Sequence, residues 1–238
     1  QPKRRLIIMG FISSAIEGVK NFISSIMNSI SERVNVWNER RQQTRERSSY
    51  IRQIENFEST YCPEVPDQEL ALRVRQYLKE KFPNGIEECL SQMSVDELPD
   101  FFMEIEKDAE VIMDVTTEEV VIIYPKTEEE IMKYGCGFYN IENNLLCING
   151  AFLYSGNIDL IKEQIFTIFH ELKHARQYAA VERKKDYGYS EELMQTWEQN
   201  MKNYITYREN DEAYRKQPLE MDTFGFEELL KEYYYTND

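Results

Sequence analysis

The chain is poor in histidine, cysteine, glycine and proline. Its 238 residues include two histidines, four cysteines, nine glycines and seven prolines. The cysteines are scattered and show no Cys-x-x-Cys spacing of a metal site; they are Cys62, Cys89, Cys136 and Cys147. A cysteine-based zinc site and a disulfide framework are therefore not indicated, and the simplest compartment for this chain is a reducing cytoplasm.

Basic residues are also few. The chain has 28 Lys and Arg against 43 Asp and Glu, which gives a net charge of −15 at pH 7. Because clustered Lys and Arg drive phosphate binding, this balance argues against a nucleic-acid partner. The charge is uneven, since residues 1–60 contain ten basic and six acidic residues and carry +4, which leaves −19 for the other 178. A mildly basic segment thus precedes an acidic region.

A convincing targeting signal is missing as well. Lys3-Arg4-Arg5 followed by Leu6–Ile16 loosely resembles a signal peptide, but polar residues dilute the apolar part and no clear cleavage site follows. The apolar part is too short to span a bilayer. If Met9 were the start, the sequence from Gly10 would fit an N-myristoylation pattern. A secreted or delivered effector therefore stays an alternative to a cytoplasmic protein.

The two histidines frame a His-Glu-x-x-His segment, His170-Glu171-Leu172-Lys173-His174. Residues four apart lie on one face of a helix, so both imidazoles can reach one metal ion. Glu171 then lies beside the metal without binding it, and it can take a proton from the attacking water. This pattern predicts a zinc site with Zn²⁺ as cofactor and Glu171 as a catalytic base.

The residues around the motif predict a largely buried helix. Asn157 and Asp159 are suited to cap its start, and Lys173 is expected to face solvent. Apolar residues recur at helical spacing at Ile161, Ile165, Ile168, Phe169 and Leu172.

Catalytic zinc usually has three protein ligands, so a third donor is needed. No histidine remains, and residues 175–180 lack the glycine and the histidine of the metzincin continuation. The third donor should therefore be a carboxylate. Spacing alone does not choose among the acidic residues downstream, which include Glu182, Glu191, Glu192, Glu198, Glu209, Asp211, Glu212, Glu220 and Asp222.

Three segments resemble gluzincin-type metallopeptidases related to the ImmA/IrrE group and to metallopeptidase domains of bacterial toxins and mobile elements. The resemblance covers about half of the chain, from Val120 onward. Relatives pair the histidine motif with a second helix of the form Glu-x-Glu/Asp-Ala-x-x-Phe, whose first glutamate completes the zinc site. The segments that carry the resemblance are His170 to Gln177, the stretch with Trp197, Asn200 and Tyr204, and Pro218 to Phe226.

The resemblance implies that Glu220 is the third ligand, with Asp222 as the reserve candidate. Phe226 matches the phenylalanine of the motif, but Thr223 stands where alanine is usual. Phe224 replaces an Asn or Asp that supports a ligand histidine in many relatives, and such support holds the tautomer of the imidazole. Either Asp222 or a backbone carbonyl is therefore expected to replace it, or the site is weaker than that of the relatives.

A small sheet is predicted before the metal helix. It comprises a strand at Val120–Tyr124 and a hairpin of Gly137–Ile141 with Leu145–Asn149, whose turn is rich in asparagine. The resemblance implies that the hairpin edge, Phe138–Asn149, binds the substrate backbone, while simple covering of the core is the alternative. One of several tyrosines could stabilise an oxyanion, with packing as the default for each; those nearest the second motif are Tyr204, Tyr207 and Tyr214.

The predicted fold class is α+β, with a zincin-like catalytic domain at 120–238. An amphipathic helical arm, 1–62, and a helical segment, 63–119, precede it. The boundary lies at the proline-containing stretch Tyr61–Asp67, and a helix over Gln68–Phe82 follows it. Residues 10–57 carry the apolar stripe of the arm, which could pack on the catalytic domain, self-associate, contact a membrane surface or a partner helix, or act as a pro-segment.

These features predict a zinc-dependent endopeptidase that hydrolyses a protein or peptide substrate. The alternatives are a non-catalytic, zinc-stabilised interaction or regulatory module, and the catalytic part of a toxin or effector. An intact Glu171 favours the enzyme, because a structural zinc site has no use for a base there.

Overall fold

The computed structural model describes Tyr50, Ile54, Phe57 and residues 61–236, with the side chains at positions 132 and 133 outside the description. The chain divides into two units, Gln1–Ile51 and Arg52–Asp238, and the structure below is that of the second. The predicted amphipathic arm lies almost entirely outside the described residues, and so do the contacts predicted for residues 10–57.

The described part of the second unit is an α+β fold with one small sheet. Helices dominate, and the three short strands lie in the middle of the chain order. The elements are α1 (Val65–Lys81), α2 (Ile86–Ser91), α3 (Leu98–Met113), β1 (Glu119–Ile123), α4 (Glu128–Tyr134), β2 (Gly137–Asn140), β3 (Leu145–Asn149), α5 (Gly150–Leu153), α6 (Ile158–Val181), α7 (Glu191–Lys202), α8 (Asp211–Lys216) and α9 (Pro218–Tyr235).

The sheet has the strand order β1-β3-β2, which makes β3 central and β2 an edge strand. β1 runs parallel to β3 with Val121 beside Cys147, and β2 runs antiparallel to β3 with Tyr139 beside Leu146. The predicted hairpin is confirmed. Asn144 has a φ of 53°, the left-handed conformation for which asparagine suits such turns.

Helix α1 begins earlier than the sequence pattern predicts. It starts at Val65 rather than Gln68, so Pro66 lies in its first turn instead of in a linker. Proline fits there because the first backbone N–H groups of a helix have no partner within the helix. A turn at Pro83-Asn84 follows the helix.

One hydrophobic core unites the helices before the sheet with the elements after it. Side chains from residues 63–119 and from residues 120–238 belong to the same buried cluster, which includes Leu78, Phe102, Ile148, Phe169 and Leu230. Each such side chain contributes about 1.5–3 kcal/mol when fully buried, so this core fixes α6 and α9 against each other. In the described ranges, no helix is both long enough and apolar enough to cross a membrane.

Candidate metal centre

Helix α6 carries both histidines and is buried along most of its length. Asn157 caps its start as predicted, since the Asn157 side-chain oxygen accepts a hydrogen bond from the Asp159 N–H at 3.0 Å. The residues predicted to face the core are buried, namely Ile161, Ile165, Ile168, Phe169 and Leu172. The backbone that presents the histidines is therefore held firmly in place.

Helix α9 brings a carboxylate to these histidines, and buried amides fix its first turn. Asn200 of α7 accepts a hydrogen bond from the Leu219 N–H at 2.8 Å and donates one to Gln217 Oε1 at 2.9 Å. Gln217 also bonds the N–H and the carbonyl of Ile205. This anchoring places Glu220 in the first turn of α9, where it faces α6.

His170, His174 and Glu220 form a group that can hold a metal ion, and we call it the histidine cluster. One ligand atom from each lies within 4.8 Å of the others. His174 Nε2 is 3.4 Å from Glu220 Oε1, and His170 Nε2 is 3.9 Å from Glu220 Oε2. Ligand bonds of about 2.1 Å at tetrahedral angles place ligand atoms about 3.4 Å apart. The two histidine–glutamate distances lie close to this value, and since no pair of ligand atoms is more than 4.8 Å apart, side-chain shifts of about an ångström bring all three to one ion.

The charge of this centre also fits a cation. Glu171 and Glu220 are both buried, and Glu220 Oε2 has no hydrogen-bond partner among the described residues. A buried polar atom without a partner costs about 1–3 kcal/mol, and a charged one costs more. With both imidazoles neutral, the two carboxylates leave a double negative charge that one divalent ion would balance.

Both histidines have a partner that fixes the tautomer of the ring. His170 Nδ1 lies 2.7 Å from Glu227 Oε2, and His174 Nδ1 lies 2.9 Å from Gln177 Oε1. Because both partner atoms accept hydrogen bonds, each Nδ1 carries the proton and donates it. The lone pair of each neutral ring is then on Nε2, the atom that faces Glu220.

These partners correct one expectation from the sequence. The support lost at Phe224 was expected to come from Asp222 or a backbone carbonyl, and this is wrong for both histidines. Glu227 supports His170, while Phe224 packs its ring against the His170 ring at a centroid distance of 4.9 Å. The replacement works because Glu227 lies two helical turns after Glu220, on the same face of α9.

Glu171 lies beside the histidine cluster and is anchored to the sheet. Its Oε2 accepts a hydrogen bond from the Tyr139 N–H at 2.8 Å. Burial raises the pKa of the Glu171 carboxyl, although both nearby histidines act to lower it. One oxygen of the carboxylate is thus held by β2, and a raised pKa suits a group that takes up and releases a proton.

The ionisable groups of the cluster are strongly linked. Burial disfavours the His174 cation, but the Glu220 carboxylate outweighs burial and raises the pKa of His174 to about 9. Burial likewise opposes the charge of Glu220, but His174 and His170 lower the pKa of Glu220 to about 2. In the absence of a metal, a proton on His174 therefore partly compensates Glu220.

Tyrosines close the side of the cluster that faces α8. The Tyr204 hydroxyl donates to Glu220 Oε1 at 2.5 Å, and the Tyr214 ring meets the Tyr204 ring edge-on at 6.2 Å. Burial and the nearby Glu220 carboxylate raise the pKa of both phenols, which stay protonated. Tyr207, the third tyrosine considered from the sequence, is 38% exposed and packs against Tyr214.

Lys173 was expected to face solvent, and this is wrong, because its side chain is fully buried. Its Nζ lies 2.7 Å from Asp67 Oδ1, 2.8 Å from Asp222 Oδ2 and 2.9 Å from the Tyr189 hydroxyl. We call these four residues the lysine cluster. Helix α6 is covered on this side too, by α1 and α9, which supply the opposite charges that a buried ammonium needs.

The structure separates the two candidates for the third ligand. The Asp222 carboxylate belongs to the lysine cluster, where it also accepts hydrogen bonds from Gln177 at 2.7 Å and from the Tyr61 hydroxyl at 3.0 Å. Glu220, two residues earlier, faces the histidines. Asp222 still touches the centre indirectly, because Gln177 bonds both Asp222 and His174.

Sequence reasoning missed two residues of the centre, Gln177 and Glu227. A signal for each was present. Gln177 lies three residues after His174, and Glu227 lies seven residues after Glu220, so both share a helix face with a ligand. Glutamine and glutamate are common on helices, however, and the spacing gains meaning only once the ligands are known.

Comparison with known proteins gives no assignment: no family model matches the chain, and neither a curated protein nor a solved structure matches it. Function is therefore inferred from the geometry and the chemistry of the histidine cluster.

Proposed function

We propose that this chain is a zinc-dependent peptidase with a zincin-like fold. His170, His174 and Glu220 would hold the zinc ion, and Glu171 would be the general base. The observation that carries the proposal is the convergence of three ligand side chains from α6 and α9, with both histidine Nδ1 atoms already engaged. The resemblance of residues 120–238 to gluzincin-type metallopeptidases supports the same roles.

The donor set favours zinc over calcium or magnesium. Two imidazole nitrogens and one carboxylate oxygen suit zinc, whereas calcium and magnesium prefer oxygen ligands alone. Three protein ligands are the number found in catalytic zinc sites, which keep one position for water or substrate. When bound, zinc supplies a Lewis acid that polarises the scissile carbonyl and lowers the pKa of the attacking water.

Glu171 supplies the proton transfers. Because Tyr139 holds Oε2 through its N–H, Oε1 is the oxygen that takes the proton of the attacking water. The same oxygen then delivers this proton to the leaving amine nitrogen. Burial raises the pKa of the carboxyl, which makes Glu171 a stronger base for the first of these steps.

The substrate class follows from the strand beside the base. β2 is the edge strand of the sheet, and the Tyr139 N–H points away from β3 toward Glu171. A peptide in extended conformation that added to this edge would place its backbone next to the general base. We therefore propose a protein or peptide substrate that binds along β2.

The test compares the wild-type chain with Glu171→Gln. Metal content is measured first by elemental analysis, and cleavage is then screened with a broad peptide library. We expect about one zinc ion per chain in both proteins and a loss of cleavage by about a hundred- to ten-thousand-fold in the variant, because glutamine keeps the shape but cannot accept a proton. Glu198→Gln is the control for an acidic residue outside the site, because Glu198 lies on α7 with a side chain that is 43% exposed and pairs with Lys202.

Two results would overturn the proposal. If the wild-type protein contains no transition metal and takes up none on addition of zinc, the site is wrong. If zinc is bound but Glu171→Gln cleaves as well as the wild type, the mechanism is wrong. Bound zinc with no cleavage of any peptide would favour the alternative, a zinc-stabilised interaction module.

A further inference from the structure

Tyr204 makes a contact that the proposed reaction leaves unexplained. It lies in the segment between α7 and α8, outside both ligand helices, yet its hydroxyl donates to Oε1 of Glu220 at 2.5 Å. Nothing in the histidine motif calls for a hydroxyl at this place. The contact therefore bears on how Glu220, the proposed third ligand, is held in position.

The two oxygens of the Glu220 carboxylate have different environments. Oε1 accepts the Tyr204 hydrogen bond and lies 3.4 Å from His174 Nε2, whereas Oε2 lies 3.9 Å from His170 Nε2 and has no hydrogen-bond partner among the described residues. A hydrogen bond to a charged group is worth about 1.5–3 kcal/mol, enough to favour one rotamer of the carboxylate over the others. The bond to Tyr204 thus leaves Oε2 as the oxygen that is available to a metal ion.

The position of Tyr204 is itself fixed by the fold. The next residue, Ile205, is bonded through both its N–H and its carbonyl to the buried side chain of Gln217. The Tyr204 ring packs against the Tyr214 ring. Because Gln217 immediately precedes α9, the same anchor sets the donor, Tyr204, and the helix that carries the acceptor, Glu220.

We propose that Tyr204 is a positioning residue for the metal centre: it holds Glu220 through Oε1, so that the carboxylate binds the ion through Oε2 alone. Binding through one oxygen keeps a coordination position open for water or substrate. This inference rests on the proposed zinc site. It differs from an oxyanion role for the same hydroxyl, because here Tyr204 acts on the ligand and not on the substrate.

The test measures metal binding by the 238-residue chain and by its Tyr204→Phe variant, which lacks the hydroxyl and keeps the ring. Zinc affinity is measured by competition with a chelator, and the cobalt-substituted protein is examined by visible absorption, which reports the number and geometry of ligands. We expect zinc affinity to fall by about 10–100-fold in Tyr204→Phe, the usual effect of losing a partner of a ligand. We also expect the cobalt spectrum to change, because Oε1 becomes free to join the coordination.

The matched control is Tyr77→Phe. It removes another phenol that bonds a carboxylate, since the Tyr77 hydroxyl donates to Asp108 at 2.9 Å between α1 and α3. A residue with a merely structural role would lower stability without moving the cobalt spectrum, so Tyr77→Phe should leave affinity and spectrum unchanged.

Three outcomes overturn the inference. If the wild type binds zinc and Tyr204→Phe shows the same affinity and spectrum, Tyr204 does not position Glu220, although the zinc site stands. If cleavage is lost while affinity and spectrum stay unchanged, the hydroxyl acts on the substrate instead. If the wild type binds no zinc, the proposed function fails and this inference fails with it.

Discussion

Helices α6 and α9 share two buried polar clusters, and the clusters differ in whether a lysine ammonium lies among the carboxylates. In the lysine cluster, the Lys173 ammonium lies within 2.8 Å of two carboxylates and packs over the rings of Tyr189 and Trp197. In the histidine cluster, Glu220 faces two imidazoles, and one of its oxygens has no hydrogen-bond partner among the described residues. The first cluster contains its own cation, Lys173, whereas the ligand atoms of the second are arranged so that they can bind one.

This difference separates a structural element from a candidate functional site. A buried ammonium that pairs with carboxylates from two helices ties these elements together, and its loss leaves uncompensated charge. A cluster of ligand atoms whose partners hold each ring in place, and whose buried carboxylate pairs with no lysine or arginine among the described residues, is arranged for an ion that binds from outside. Helix α9 contributes one carboxylate to each cluster: Glu220 to the histidine cluster and Asp222 to the lysine cluster.

Removal of the Glu220 or of the Asp222 carboxylate, one at a time, should give the largest difference in zinc affinity. Glu220→Ala removes a proposed zinc ligand and should weaken zinc binding by more than about a hundredfold, beyond the usual cost of losing a ligand's partner. Asp222→Ala should keep the ion and mainly lower stability, because its carboxylate pairs with Lys173. Zinc affinity from chelator competition and urea unfolding of the metal-free proteins measure the two effects. If Asp222→Ala releases the metal while Glu220→Ala retains it, the ligand assignment is wrong by two residues.

Loss of the buried ammonium should have the largest effect on stability. Lys173→Met removes the cation between Asp67 and Asp222 and leaves two buried carboxylates close together, which should cost about 3–5 kcal/mol. The measurement is urea unfolding of the metal-free protein.

The control for this change is Lys162→Met. Lys162 lies on the same helix and pairs with Glu87 at 2.7 Å, but the Glu87 side chain is 45% exposed. Lys162→Met should therefore lower the free energy of unfolding by about 0–1 kcal/mol. Equal losses at both positions would show that burial does not distinguish the two ion pairs.

Removal of the partner of a ligand should have an intermediate effect. Glu227→Ala takes away the acceptor for His170 Nδ1 and should lower zinc affinity by about 10–100-fold. Since Glu227 also pairs with Lys231, Lys231→Ala is the control for the loss of that ion pair, and it removes the pair between Lys231 and Glu163 as well. A Lys231→Ala protein that binds zinc as weakly as Glu227→Ala would show that general charge, and not the support of His170, explains the effect.

The local structure around the histidines could be predicted from the sequence, whereas the contacts between residues far apart in the chain could not. Helical spacing predicted that His170 and His174 share a face, and the asparagine-rich turn predicted the hairpin beside them. Lys173 was misplaced because the sequence of α6 gives no sign that α1 and α9 cover its remaining side. Glu227 is 57 residues from His170, and only the packing of two helices brings them together.

Acidification should weaken metal binding. The pKa of His174 is raised to about 9 in the metal-free protein, so a proton competes with the ion for Nε2 at every pH below that value. Below pH 9, zinc affinity should therefore fall by about tenfold for each unit of pH, as long as one proton is displaced. Chelator competition at several pH values checks this, with correction for protonation of the chelator. A pH-independent affinity near neutrality would show that His174 is already neutral without the metal.

The smallest predicted effect is the loss of stability when a tyrosine hydroxyl in the segment before α1 is removed. The comparison is again between a buried carboxylate and a partly exposed one. The Tyr61 hydroxyl donates to the fully buried carboxylate of Asp222, whereas the Tyr77 hydroxyl donates to Asp108, whose side chain is 41% exposed. Tyr61→Phe should cost about 1–3 kcal/mol, because water cannot easily replace the lost donor, and Tyr77→Phe should cost less than about 1 kcal/mol.

Urea unfolding of the two phenylalanine variants measures this difference, and the ring of Tyr61 must stay in place for the comparison to hold. The ring packs so closely on α9 that a Cβ at Gly225 would lie 2.8 Å from it, and phenylalanine preserves this contact. A cost for Tyr61→Phe no larger than that for Tyr77→Phe would mean that Lys173 and Gln177 alone satisfy Asp222. Residue 61 would then anchor α9 through the packing of its ring and not through its hydroxyl.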